Sequence, residues 1–349
     1  MFEKILNGLL IFVPIALIAS LMHVAPTWVF FFAAIGIIPL AKYIGNATEE
    51  LASHTGPAVG GLLNATFGNA TEIIIGVLAL KAGLIEVVKA SITGSIIGNL
   101  LLVLGAAMIA GGTRHKKQTF NKTAILASSS TLLLAVIALV IPAIFFQTAP
   151  THGPVVIEHL SIIVSVLMIL AYIASISFSL FTHKHLYTEE VGHLQPNWSI
   201  KKSVIILFIS TVLVAFLSEI LVASIEPIVA AFGWTELFIG VVFVAIIGNA
   251  AEHTSAITMA MKNRMDLSLQ ISIGSATQIA MLAAPLLVLI SLFFQEQMSL
   301  VFNTFELAAI IFSVFIANLV VQDGESNWLE GVQLLVAYAI MAVGFFFFK

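Results

Sequence analysis

The sequence predicts an all-α polytopic membrane protein: eleven transmembrane helices, one N-terminal helix plus two inverted-topology five-helix repeats. Three observations carry the prediction. Charged residues are only 9% of 349 positions, 14 Lys and Arg against 18 Asp and Glu, where a soluble domain holds roughly a quarter. Apolar runs long enough to cross a hydrocarbon core of about 30 Å recur along the whole chain. An acidic motif in one of these runs returns at an offset of 180 residues.

Composition also excludes. Hydrophobic residues make up 60% of the chain and mean hydropathy is +1.10, more apolar surface than a core of this length can hide without lipid. A net charge of −4 leaves no basic field for nucleic acid, and no polar tract is long enough for a soluble catalytic domain. With no cysteine there are no disulfides, thiolate metal sites or cysteine nucleophiles. Neither His-Glu-x-x-His nor Gly-x-Ser-x-Gly is present, so an intramembrane enzyme is not expected.

The elements follow in order. Span 5–24 sits in an N-terminal unit, 1–26; its leader Met1-Phe2-Glu3-Lys4 has no net positive charge and no small-x-small cleavage site follows, so a retained helix is expected rather than a signal peptide. Spans 27–53, 57–80, 83–111, 120–146 and 155–182 form a first repeat, 27–182. A polar linker, 183–200, is expected to be a solvated loop; its His183, His185, His193, Glu189 and Glu190 suit a metal or pH sensor in type, but nothing fixes their geometry. Spans 201–232, 235–261, 266–294, 299–320 and 328–348 form the second repeat, 201–349.

Basic residues set the orientation, because cytoplasmic loops carry an excess of them. Lys4, Arg114, Lys116, Lys117, Lys122, Lys184, Lys201, Lys202, Lys262 and Arg264 fall on one side, and Lys81, Lys89 and Lys349 on the other, while Lys42 lies within a span. The N-terminus is therefore expected in the cytoplasm and the C-terminus outside, which requires an odd number of spans.

The repeat is specific. Gly68-Asn69-Ala70-Thr71-Glu72 returns as Gly248-Asn249-Ala250-Ala251-Glu252, and at the same offset Gly94-Ser95 returns as Gly274-Ser275. The copies lie five spans apart, so they face opposite ways across the membrane, as in many secondary transporters.

An ionisable residue inside a span is costly and points to function. Glu72 and Glu252 are the sharpest cases, each preceded by an Asn three residues earlier and a Gly four earlier. Carboxylates, the amide oxygens of Asn69 and Asn249, and backbone carbonyls freed near a glycine are all hard ligands. They suit a cation such as Ca²⁺, which takes about six to eight oxygens, better than a soft metal. Asn99 and Gln278 on the partner helices are expected to line the pathway, since large amides are costly in lipid. Ser95, Ser275 and Thr277 fit that role and helix–helix contact equally well. Glu49, Glu50, Glu219 and Glu226 fit a gate or proton relay as well as a simple interfacial position; Glu306 and Lys42 are weaker candidates, and His54 and His253 read as structural or surface residues because neither recurs at the repeat offset.

These residues resemble a known family. Ala47-Thr48-Glu49-Glu50-Leu51-Ala52, the run from Gly60 through Glu72, Gly248 through His253, and Gly274 through Ala280 resemble the calcium/proton antiporters (cation exchangers) of the calcium/cation antiporter superfamily. The likeness covers almost the whole chain. It implies eleven helices, ten of them in two inverted repeats, and exchange of cytosolic Ca²⁺ for protons by alternating access, with Ca²⁺ and H⁺ as substrates and no cofactor. Carried over by position, the family's cation-binding glutamates match Glu72 and Glu252, its asparagines Asn69 and Asn249, and its second-repeat glutamine Gln278. A prokaryotic cell-membrane member is implied, since the chain lacks the long polar N-terminal extension and acidic inter-repeat segment of vacuolar members. A sodium/calcium exchanger of the same superfamily is the nearest rival and a cation channel the next. Both Glu72 and Glu252 cannot remain charged in lipid without a cation, so protons and metal compete for them, and an empty charged pair cannot cross.

Overall fold

Several helices begin where the sequence supplies a side-chain cap or a proline. The computed structural model describes residues 2–55, 57–148, 153–183 and 196–348. The linker residues His185, Glu189, Glu190 and His193 lie outside them.

Helices α1 (Phe2–Leu9) and α2 (Phe12–Leu21) make the first segment, and α3 (Pro26–Thr55) starts on a proline, where the missing N–H costs nothing. Next come α4 (Pro57–Phe67), α5 (Ala70–Lys81), and α6 (Ile85–Ile97), which runs through a π-helical stretch at Gly98–Val103 into α7 (Leu104–Gly112). Strand β1 (Gln118–Thr119), α8 (Lys122–Thr148) and α9 (Pro154–Ser177) complete the first half.

The second half opens with α10 (Ile200–Ala223), whose cap Ser199 accepts the Lys202 N–H, and α11 (Ile225–Phe232), which stops at Gly233 with φ 67°, the left-handed conformation that favours glycine. Thr235 caps α12 (Glu236–Phe238), which continues through π-helical Ile239–Val244 into α13 (Ala245–Gly248); α14 (Ala250–Met261) follows after a break. Then come α15 (Met265–Gln278), π-helical Ile279–Ala283, α16 (Ala284–Ser291), α17 (Thr304–Val320), β2 (Glu325–Ser326) and α18 (Trp328–Phe347). Reciprocal capping boxes, Asn303 with Glu306 and Asn327 with Glu330, set the starts of α17 and α18, so α17 begins at Thr304 rather than at the expected 299.

The order of helical segments follows the predicted spans, four of which are divided: 5–24 and 201–232, and, at the two copies of the Gly-Asn motif, 57–80 and 235–261. By length and hydropathy eight helices among the described residues can cross a membrane, or nine if the pair Glu236–Gly248 and Ala250–Met261, bent by 61°, is one span. These criteria stop short of eleven because α17 has 17 residues and α4 and α5 are separate pieces of 11 and 12.

Polarity is arranged for lipid. Phe208, Leu167, Phe312 and Ile340 face outward, whereas Thr93, Ser95, Asn99, Asn249 and Ser272 are buried. Helix α3 packs between α2, α4 and α10, and α6 lies along Ile239–Val244. A Cβ on Gly94 would overlap the Val241 backbone, so glycine allows that crossing. Around one end of the bundle three loops are tied together. Strand β1 pairs antiparallel with β2, Lys117 pairs with Glu325, the Asn121 N–H donates to Asp266, and buried Gln118 donates to the Ala260 carbonyl at 2.9 Å and to Asn263 Oδ1 at 3.0 Å.

Candidate cation-binding site

The site is built on the two helices divided at the Gly-Asn motif. Asn69 (φ −103°, ψ 26°) and Asn249 (φ −89°, ψ 11°) lie outside helical geometry, and each immediately precedes a new helix, α5 or α14. Glu72 and Glu252 therefore hold the same position, third in a fresh helix, where the first-turn N–H groups lack intrahelical partners and the dipole favours a carboxylate. The glycine predicts a loosened helix here; the break falls one residue later, so that each Asn forms the corner and each Glu the first turn beyond it. Glu72 leans across to the other half: a Cβ on Gly248 would lie 2.9 Å from Glu72 Cγ. Gly248 immediately precedes the Asn249 corner, so Glu72 reaches the second corner itself.

Each corner asparagine is held by the opposite half. Asn69 donates to Gln278 Oε1 at 2.6 Å. Asn249 donates to Ser95 Oγ at 2.8 Å, and Asn99 donates both to Asn249 Oδ1 at 2.9 Å and to Ser275 Oγ at 3.0 Å. Four buried oxygens in this cluster have no hydrogen-bond partner among the described residues: both of Glu72, Oδ1 of Asn69 and Oδ1 of Asn99. Unpaired buried acceptors are costly, and a proton or a cation would satisfy them. Among the described residues no group of three or more His, Cys, Asp or Glu could hold a metal ion, so a cation here would need these neutral amide and hydroxyl oxygens beside the two carboxylates.

A cavity of about 310 Å³ reaches the site from one end, lined by Glu252, Ser275 and Gln278 together with Lys42 and with Asn64 and Glu49, both of which are exposed. Glu72 is not part of its lining. Cavities of about 560 and 420 Å³ share Glu49 with it and extend to Trp198. That end is where the chain returns from the linker: Glu50 accepts the N–H groups of Asn197 at 2.8 Å and Trp198 at 3.0 Å, and His54 Nε2 meets the Trp198 carbonyl at 2.7 Å.

The candidates thus separate. Glu72, Glu252, Asn69, Asn249, Gln278, Asn99, Ser95 and Ser275 come together, and Glu49 stands at the cavity mouth. Glu50 fastens the returning chain, while Glu219 and Glu226 are exposed and line none of these three cavities. Thr277 donates to the Ile273 carbonyl at 2.8 Å. Glu306, fully buried, serves its capping box and accepts from Thr93 Oγ1 at 3.2 Å.

Some of the lining escaped the sequence reading. Asn64, Ser255 and Gln270 line the cavity. Polar spacing carries a signal: Lys42, Asn46 and Glu49 follow one face of α3, and Gln270, Gly274 and Gln278 one face of α15. The π-helical stretches that contain Asn99 and follow Gln278 were also missed, although Gly98–Val103 and Ile279–Ala283 overlap at the 180-residue offset and end in register.

The family described as sodium/calcium exchanger protein matches residues 25–181 and 202–347. The Ca(2+)/H(+) antiporter ChaA of Bacillus subtilis (strain 168) is 48% identical over 342 residues, 96% of each chain. The solved structure of native YfkE superposes with a TM-score of 0.87 at 45% identity, covering 99% of this chain and 100% of that one. A sodium-calcium exchanger structure, NCX_Mj, covers 90% of this chain and 97% of its own at a TM-score of 0.58 and 18% identity, a likeness of fold alone.

Proposed function

The chain belongs to the sodium/calcium exchanger protein family, and from that membership we propose that it is a secondary active transporter exchanging Ca²⁺ for protons by alternating access. Identity of 48% over nearly the full length to a Ca²⁺/H⁺ antiporter, against a distant likeness of fold to a sodium-calcium exchanger, supports protons as the counter-ion. A symmetric pair of acids would also suit a channel, but a channel filters ions through a ring of groups around an open pore, whereas here one carboxylate is sealed and the other open.

The observation that carries the reading is the pair of half-helix starts, each presenting a glutamate at its third position, with Glu72 pressed against Gly248 of the opposite half. Ca²⁺ neutralises both carboxylates and draws on the unpaired oxygens of Asn69 and Asn99. When it leaves, protons take its place. The loaded forms can cross, while the bare dianion, unpaired in lipid, cannot; this couples the two fluxes.

Architecture follows from the same reading. The chain crosses the membrane eleven times, one helix in 1–26 and five in each of 27–182 and 201–349, with the linker 183–200 in the cytoplasm, the N-terminus inside and the C-terminus outside. The two matched stretches, 25–181 and 202–347, support this division. The distribution of Lys and Arg supports the orientation, which makes the cavity at Glu49 cytoplasm-facing.

Ca²⁺ uptake into everted membrane vesicles with an acid interior is the test. Glu72→Gln and Glu252→Gln are each expected to reduce uptake at least about a hundredfold, the loss of a charged ligand from a buried site. Normal pH-driven uptake by either variant, or uptake that follows a Na⁺ gradient at clamped pH, would sink the reading.

A further inference from the structure

Lys42 is the charged group that the exchange mechanism leaves without a task. It lies on α3 with Asn46 and Glu49, at i, i+4 and i+7, one polar face along the access cavity. Its ammonium donates to Ser255 Oγ at 3.1 Å. Ser255 is one turn beyond Glu252 on the same face of α14, and Lys42, Glu49, Glu252 and Ser255 line the same 310 Å³ cavity. The described ion pairs, Lys89 with Glu86 and Lys117 with Glu325, do not include Lys42. The lysine is therefore held by a neutral hydroxyl, in the cavity that the carboxylates of Glu49 and Glu252 also line.

We propose that Lys42 is a tethered counter-cation that sets which ions reach the site: a divalent cation displaces its ammonium from the cavity shared by Glu49 and Glu252, and a monovalent cation does not. The electrostatics give the direction. Two carboxylates in one small cavity attract any cation. With an ammonium already in that cavity, a monovalent ion replaces one positive charge by one and gains nothing for displacing it. A divalent ion replaces one by two and gains the second charge's attraction to both acids. The same ammonium keeps Ca²⁺ from resting at the mouth, so an arriving ion moves on to Glu252. Lysine suits the role because its flexible stem lets a compact charge swing aside.

The proposal rests on the reading of the cavity as the route of Ca²⁺ to Glu252, and the test separates the two. Binding of radiolabelled Ca²⁺ to the purified full chain is measured at fixed pH in choline chloride and in KCl, for the wild type, Lys42→Gln, Lys42→Met and Lys42→Arg. In choline, the Gln and Met variants are expected to half-saturate at about tenfold lower Ca²⁺ than the wild type. Replacing choline by about 100 mM K⁺ at equal ionic strength should then weaken their binding at least threefold and leave the wild type and Lys42→Arg unchanged. Two neutral variants guard against one failing to fold, and a merely structural lysine would not produce sensitivity to K⁺. If the wild type binds Ca²⁺ and both neutral variants match it in half-saturation and in K⁺ response, the lysine proposal is overturned and the exchange reading stands. If the wild type binds no Ca²⁺, the exchange reading fails and this proposal with it.

Discussion

Glu72 and Glu252 occupy the same place in two copies of one motif, yet their surroundings differ. Both oxygens of Glu72 are sealed from outside and without a partner, while Glu252 lines a cavity that reaches the end of the bundle. The difference extends around them. Gly94 is jammed against the backbone of Val241, whereas its counterpart Gly274 has nothing within 4 Å of a Cβ. Asn69 has one side-chain tether across the halves, and Asn249 is the centre of several. Two copies with equal local geometry have thus been given unequal access. A pair of acids that were simply two ligands of a resident metal would gain nothing from this. On the proposed cycle the inequality is the working principle: the arrangement that seals Glu72 opens Glu252, and its reverse faces the other side.

The largest effect that could break this contrast is one of chemical access. The chain has no cysteine, so a single introduced thiol reports on its own position. Ser255→Cys, on the cavity, is expected to react with a membrane-impermeant maleimide at least about tenfold faster than Thr71→Cys, beside Glu72 and 3% exposed. Saturating Ca²⁺ should slow the first and leave the second. Equal labelling of the two thiols would mean that the asymmetry does not exist in the membrane.

The glycine pair gives a smaller effect, read as stability. Alanine at Gly94 must push the Val241 backbone aside, and because backbone cannot rotate away, the cost should be about 3 kcal/mol. At Gly274 the new methyl enters open space and gains helix propensity, so the change should stay within about 0.5 kcal/mol. Thermal melting in detergent compares the two. Similar losses at both positions would show the halves to be packed alike.

What the sequence could reveal of all this depends on the range of the interaction concerned. Membrane character, the order of helical segments and the recurrence of the Gly-Asn motif are legible because hydropathy and an internal offset are written in the chain itself. The corners at Asn69 and Asn249 were only half legible: glycine suggested a loosened helix, but hydropathy ran on through both, and at Asn249 it concealed a bend of 61°. The pairing of Asn69 with Gln278, 209 positions apart, depends on how the halves cross. Glu50 and Glu49 could not be told apart by sequence, being adjacent and identical, yet one turns to the linker and the other to the cavity. Glu306 looked like a stray charge in a span because its fit with Asn303 requires knowing that a helix starts there. The inequality of the two halves is the feature least accessible to sequence, since a repeat announces likeness and only packing breaks it.

The smallest predicted difference concerns the corner asparagines, and it separates their tethering from their position. Asn69→Ala removes one cross-half hydrogen bond and leaves the Gln278 oxygen unpaired, about 1 kcal/mol. Asn249→Ala removes the acceptor of Asn99, the donor to Ser95 at 2.8 Å and a bond to the Ala245 carbonyl at 2.9 Å. These groups share one network, so their losses do not simply add, and about 2 kcal/mol is expected. Melting without Ca²⁺ should therefore rank Asn249→Ala below Asn69→Ala. Equal costs would mean that the network around Asn249 contributes no more than a single bond, and that the second corner is no more firmly held than the first. If the order holds, the open half is the one whose corner is anchored. The corner beside the sealed carboxylate is then the looser of the two, and a reversal of access would begin by breaking its single bond to Gln278.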